Sequence, residues 1–183
     1  MRWIVAWGVF AALLVAAVGA AAPARDVSGV VVYVVDGDTI HVQIGDRVEK
    51  VRYIGVNAPE VAHPQATSEP PRRVRWLPDT IVAGESAKRV NAELVSGRHV
   101  RLEFDRQERD RYQRLLAYVW VGDTMINAEI VKRGYAEVMS IPANARHRAL
   151  FAKLQAEARA ARRGLWHDVK SKPRPKAPVH AAR

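Results

Sequence analysis

Two spacings of apolar residues divide the chain. From residue 27, "VSGVVVYVVDGDTIHVQIGDRVEKVRYIGV" combines an apolar run with alternating apolar and polar positions and is rich in β-branched residues, with Asp36-Gly37 and Gly45-Asp46 as turn signals. It predicts three strands joined by two tight turns, the Asp-Gly pair adopting positive φ. "RHVRLEFD" (98–105) and "LLAYVWVGDTMIN" (115–127) predict two more, the second folding back at Gly122-Asp123. Five short strands of this kind imply a small barrel. Elsewhere the spacing changes to three and four residues. It predicts a helix over 84–96 with Ala87, Val90 and Leu94 on one face, a short helix over 126–133 closed by Gly134, and a helix over 144–163. In the last, Leu150, Leu154, Ala158 and Ala161 form the expected core stripe, and Gly164 is the stop. The fold class is α+β.

The two ends do not belong to this pattern. Met1-Arg2, an uncharged apolar run from Trp3 to Val18, and "GAAAPA" make residues 1–24 read as a signal peptide cleaved between Ala20 and Ala24. Residues 3–22 are also long enough to serve as an uncleaved membrane anchor. Both readings put the working domain outside the cytoplasm, periplasmic or secreted. Residues 25–167 then form one domain. At the other end, residues 168–183 are a basic, proline-rich tail with Lys170, Lys172, Arg174, Lys176 and Arg183 against Asp168, expected to be extended and disordered. The chain has no cysteine, which excludes disulfides and thiolate metal sites, while 49% hydrophobic residues and five tryptophans supply a packed core. Its formal net charge of +10 favours a polyanionic partner, nucleic acid or an anionic envelope surface, and charge does not choose between them.

Several residues suggest chemistry. Asp38 opens the return strand on the face of Ile40 and Val42, so either it sits in water at the sheet edge or something cationic meets it. Arg52 lies inside a strand, with Asn57 and Glu60 at its exit, and Arg114 just precedes another apolar strand. A strand arginine snorkels to solvent or pairs with a carboxylate. Residues 61–81 form a long connection with four prolines. In it Arg72, Arg73 and Arg75 adjoin Trp76, a set suited to phosphate contact and base stacking on a single strand, or to an ordinary solvated loop. His63 lies in the same connection.

In order, "VVDGDTIHV", "VRYIGVNAPEVAHP", "GESAK", "DRYQRLLAYVWVGDTMINAEIVKRGYAEV" and "GLW" (164–166) resemble the staphylococcal nuclease (thermonuclease) family, over roughly residues 28–167. The resemblance implies an OB-fold five-stranded barrel with three helices. It also implies a monomeric, calcium-dependent enzyme that hydrolyses DNA and RNA, prefers single strands and leaves 3′-phosphate ends. By position, Asp38 is the first calcium carboxylate, Asn57 stands where the family usually has a second aspartate, and Ala58 offers its carbonyl. Glu60 falls on the glutamate that orients or activates water, and Arg52 and Arg114 fall on the phosphate-binding arginines. Tyr112 matches a tyrosine near the phosphate, whereas Ser140 and Pro142 replace aromatic rings beside the nucleotide.

This set suits phosphodiester hydrolysis. A hard cation prefers oxygen ligands and acts as a Lewis acid on phosphate. Guanidinium donors match phosphate geometry and strengthen as charge develops, and a carboxylate serves the attacking water. Asn57 removes one negative charge, so weaker calcium binding or use of another divalent ion is expected, with Asp36 as a source of compensating charge. A nucleic-acid-binding module that has lost catalysis is the rival reading. Joint retention of Asp38, Arg52, Glu60 and Arg114 argues for the enzyme.

Overall fold

A computed structural model describes residues 26–61, 77–139 and 142–167. The expectations for the signal peptide (1–24), for His63, Arg72, Arg73, Arg75 and Trp76, for Ser140 and for the tail (168–183) fall outside the described residues.

Alternating side chains build the barrel. In chain order its elements are β1 (Asp26–Val34), β2 (Thr39–Ile44), β3 (Arg47–Tyr53), β4 (Val56–Asn57), α1 (Leu77–Val95), β5 (His99–Glu103), β6 (Leu115–Val121), β7 (Thr124–Met125), α2 (Ile126–Lys132), β8 (Glu137–Val138) and α3 (Arg148–Ala160). The five long strands run in the order β3-β2-β1-β5-β6, and β6 returns to β3. That last pairing is parallel, matching Val51 with Leu115, Arg52 with Leu116 and Tyr53 with Ala117. Closure leaves no long strand with an unpaired edge. Val34, Ile40, Val42, Val51, Leu102 and Val119 fill the interior. The result is the predicted five-stranded OB-type barrel with three helices.

Several local expectations need correction. β4, β7 and β8 are two residues long, too short to show an alternation. Helix α1 begins at Leu77 rather than at 84, which shortens the 61–81 connection; Pro78 does not prevent this, because a first-turn proline lacks only an N–H that has no intrahelical acceptor. Helix α3 is shorter than 144–163, and a separate 3-10 turn occupies Gly164–Trp166. Its core contact is Phe151, with Leu154 and Ala158 one and two turns on, while Leu150 is 41% exposed and Ala161 is exposed. The larger apolar area of the phenylalanine ring sets the helix rotation. Asp36-Gly37 is not a positive-φ hairpin turn. β1 ends at Val34 and β2 starts at Thr39, and the loop between them is organised by the Asp36 side chain, whose Oδ1 accepts the Asp38 N–H at 2.9 Å.

One buried amide joins the barrel to the helical layer. Asn127 is fully buried in α2; its Oδ1 accepts the Val119 N–H at 2.9 Å, and its Nδ2 donates to Ile54 O at 3.0 Å and Ala117 O at 3.3 Å. Replacing Asn127 by Ala strands these backbone groups away from water and should cost about 3 kcal/mol. In thermal denaturation this should appear as a melting point lower by about 6–12 °C; an unchanged melting point would show that the amide does not tie the layers together.

Candidate active site

The β1–β2 loop brings two carboxylates into the protein. Asp36 is 7% and Asp38 3% exposed, so Asp38 is not a solvated edge residue. The cation that meets it is Arg52: Nη1 lies 2.6 Å from Asp38 Oδ2. The same carboxylate oxygen accepts the Ala58 N–H at 2.6 Å, and Oδ1 accepts the Thr39 hydroxyl at 3.1 Å. Arg52 also donates from Nη1 to Val56 O at 3.0 Å and from Nη2 to Asn57 Oδ1 at 2.9 Å. Asp38, distant in sequence, is therefore in direct contact with Arg52 and Ala58, and Arg52 with Asn57.

Small residues make this approach possible. A Cβ on Gly37 would stand 2.5 Å from Ala58 Cβ and 2.7 Å from Ala87 Cβ, so the loop, the 56–61 segment and α1 meet where only glycine and alanine fit. Glu60 is exposed at the rim, and its backbone carbonyl lies against Gly84, leaving no room there for a Cβ. Helix α1 thus fixes the main chain that carries Glu60. It also holds the β1–β2 loop through Asn91, which is fully buried, donates from Nδ2 to Asp36 O at 2.9 Å and accepts the Tyr53 hydroxyl at 2.8 Å. Burial raises the Tyr53 hydroxyl pKa further, with the nearby aspartates adding to the rise against the opposing Asn91 bond, so it remains a donor. Asn91 was not identified from sequence, although a polar residue beside Val90 on the apolar face of a helix was a usable signal. Gly37 and Gly84 were legible only as a turn residue and a helix-start residue.

Arg114 arrives by a different route. The pairing of Val51 with Leu115 sets Arg114 level with Lys50, two residues from Arg52 along β3. Asp110 shapes the approach: Oδ1 accepts the N–H groups of Tyr112 at 2.9 Å and Arg114 at 3.0 Å, and Oδ2 accepts Arg114 Nε at 2.6 Å. Partial burial pushes the Asp110 carboxyl up, but these bonds and the Arg114 charge hold it below the usual carboxylate range. Gln113 takes a φ of 63°, closing the loop tightly. Tyr112 is 64% exposed, with the guanidinium carbons of Arg111 and Arg114 4.7 and 5.5 Å from its ring centroid. Pro142 is exposed and lines an open groove with Asp105, Arg106 and Arg146.

The donor chemistry around Asp38 fits a hard divalent cation. Carboxylates of Asp36 and Asp38, the Asn57 amide oxygen and the local carbonyls are all oxygen donors, although no three His, Cys, Asp or Glu residues among those described are grouped to hold a metal, here or elsewhere. Burial pushes the Asp38 carboxyl up to about 7; Arg52 and the Ala58 N–H oppose the rise and Asp36 adds to it. The two aspartates against the single Arg52 charge leave a deficit of positive charge that a bound cation would relieve.

A closed five-stranded barrel with this oxygen-rich, arginine-bearing rim defines a class of nucleic-acid hydrolases, and comparison with known proteins agrees. The family model described as staphylococcal nuclease homologue matches residues 50–168. The chain is 35% identical over 142 residues to the thermonuclease of Staphylococcus intermedius, covering 78% of this chain and 77% of that one. It is 32% identical to the thermonuclease of Staphylococcus hyicus over 75% of each chain. It is 34% identical to the SPbeta prophage-derived endonuclease YokF of Bacillus subtilis, over 72% of this chain and 41% of that one. The protein belongs to the staphylococcal nuclease family. The relatives it matches are named as thermonucleases and an endonuclease, and the family is metal dependent.

The raised Asp38 carboxyl has a defined pH signature. An acid whose pKa rises on folding contributes stability at low pH that is lost as pH climbs through the folded value. Here the loss accumulates between the ordinary 3.8 and about 7. In chelator-treated protein, the stability gap between the natural chain and Asp38→Asn should move in favour of the variant by about 2–4 kcal/mol from pH 4 to pH 8. Denaturant titrations at the two pH values measure it, and a pH-independent gap would refute the raised carboxyl.

Proposed function

We propose that the protein is an exported, calcium-dependent nuclease that hydrolyses phosphodiester bonds of DNA and RNA and prefers single-stranded substrate. The observation that carries this reading is the buried contact of Asp38 with Arg52 and Ala58, which Arg52 extends to the exposed Asn57. Asp38, the Asn57 amide oxygen and the Ala58 carbonyl would hold the cation, with Asp36 adding negative charge behind them. When bound, the cation supplies Lewis-acid neutralisation of the phosphate.

The chain's own residues do the rest. Arg52, anchored by Val56 O and Asn57, presents a guanidinium whose orientation is fixed before substrate arrives, so little reorganisation accompanies charge development on the phosphate. Arg114, steered by Asp110, adds a second such donor at the entrance of β6. Glu60, exposed at the rim, takes the proton of the attacking water or orients it. Tyr112 offers a ring face to the substrate beside Arg114, and Arg72, Arg73, Arg75 and Trp76, outside the described residues, are further residue types suited to a single strand. A rim of exposed side chains suits unstacked nucleotides better than a rigid duplex, which supports the single-strand preference. Export follows from the signal-like residues 1–24, the basic tail at 168–183 adds charge for nucleic acid or an anionic envelope, and the enzyme acts as a monomer.

Asn57 favours one second reading, a module that binds nucleic acid without cleaving it. Digestion of heat-denatured DNA by residues 25–183, across a calcium titration with a chelator control, separates the two. Calcium-dependent cleavage is expected, falling by about a hundredfold or more in Glu60→Gln and Arg114→Ala. DNA binding with no cleavage under any divalent ion would hand the site to the binding module. Cleavage at full rate in Glu60→Gln would remove that residue from the chemistry.

Deletion of residues 168–183 should weaken DNA binding and flatten its dependence on salt without abolishing turnover. Affinity measured from 50 to 200 mM salt tests this, and an unchanged slope would exclude the tail from the complex.

A further inference from the structure

The outer face of the barrel carries a row of side chains that the hydrolytic site does not use. Val34, Ile40, Val51 and Leu115 point inward across β1, β2, β3 and β6, so the residues beside them point outward. Tyr33 pairs with His41, His41 pairs with Lys50, and Lys50 is level with Arg114. The row therefore reads Tyr33, His41, Lys50, across adjacent strands, and ends beside Arg114 of the hydrolytic site, one residue before the β3–β6 pairing begins. The next outward row holds Thr39 opposite Arg52, and Arg52 is the residue bound to Asp38.

The chemistry of the row is that of a stacking surface edged with positive charge. Tyr33 is 55% exposed, its ring centroid lies 5.7 Å from that of His41, and Lys88 Nζ from α1 approaches the ring to 5.7 Å. Partial burial, and then the charge of Lys50, hold His41 below its ordinary pKa. At neutral pH it is an uncharged flat ring beside the tyrosine. Lys50 is exposed, and the far end of the row meets Tyr112, over which Arg114 and Arg111 stand. An exposed tyrosine in a strand gains nothing for the core, and the flanking cations leave its open face suited to a flat, anionic partner.

We infer that the row Tyr33–His41–Lys50 is a track for the single-stranded nucleic acid flanking the bond to be cut, with Tyr33 and His41 stacking bases and Lys50 and Lys88 meeting phosphates. The inference rests on the nuclease reading and deepens it by assigning where the rest of the strand runs. Two interstrand steps of about 4.8 Å give the row a length of roughly 10 Å, the span of about three stacked nucleotides at 3.4 Å each. A duplex keeps its base faces covered and cannot use the two rings, so the track selects single strands.

Binding in the presence of chelator, where cleavage does not intervene, tests the track by itself. A fluorescent twelve-nucleotide oligodeoxythymidylate is titrated with the natural chain and with Tyr33→Ala, Tyr33→Phe and Lys50→Gln. Tyr33→Ala should weaken binding about tenfold, Tyr33→Phe should stay within about twofold of the natural chain, and Lys50→Gln should reduce the salt slope by about 0.7. Affinity unchanged in Tyr33→Ala, or equally lost in Tyr33→Phe, would overturn the track. So would an equal loss toward a polyglutamate of similar length, which would assign the row to acidic polypeptide. A protein that shows these binding effects yet never cleaves would sink only the catalytic reading. Full cleavage with no effect of Tyr33 would sink only the track.

Discussion

The ion pair between Asp38 and Arg52 is the contact on which the rest of the site depends. Both partners are nearly excluded from water, and taking two such charges out of solvent costs several kcal/mol each before their attraction returns anything. The pair is viable only because remaining lone pairs and protons are satisfied: Ala58 N–H and the Thr39 hydroxyl on the carboxylate, Val56 O and Asn57 Oδ1 on the guanidinium. Four of these groups belong to backbone or short side chains, so the backbone itself must be set to tenths of an ångström. That requirement accounts for Gly37 against Ala58 and Ala87, and for Asn91 pinning the loop carbonyl of Asp36.

Closure of the barrel serves the same end. A parallel pairing between β3 and β6 is unusual in a sheet otherwise made of antiparallel neighbours, and it is the step that brings Arg114 to the strand carrying Arg52. Local bonds orient both arginines, from Asp110 to Arg114 and from Arg52 to Val56 and Asn57, but only strand pairing brings them together. Each sits where a strand enters or leaves a fully paired sheet, which gives a long, flexible side chain a rigid base. Glu60, Tyr112 and Tyr33, by contrast, stand exposed on that base, where a polymer can reach them.

The long strands were legible because each buries alternate residues, and the order of motifs in the chain pointed to the site. What was not legible has physical causes. Two-residue strands such as β4 and β8 carry no period. The core contact of α3 is chosen by Phe151, whose ring outweighs the aliphatic stripe through Leu150. Asp36-Gly37 resembles a hairpin turn in sequence, yet Gly37 is needed for close approach of Ala87, and that constraint comes from a helix some fifty residues on. Buried amides such as Asn91 and Asn127 are hydrogen-bonding hubs whose partners are set entirely by tertiary structure.

Asn57 shows how the site can tolerate a missing charge. Its Oδ1 accepts Arg52 Nη2, the contact a carboxylate would make there, so the guanidinium keeps its orientation. What changes is electrostatic. With an aspartate at 57, three carboxylates would crowd one arginine, and the cluster without an ion would be harder to fold. With asparagine, Asp36 and Asp38 face Arg52 alone, and the fold carries less self-repulsion while keeping every oxygen donor. On the proposed function, the cost would fall on cation affinity, which follows ligand charge, rather than on geometry. A domain without disulfides is held by packing, so a cluster with less self-repulsion suits a barrel that must stand without an ion.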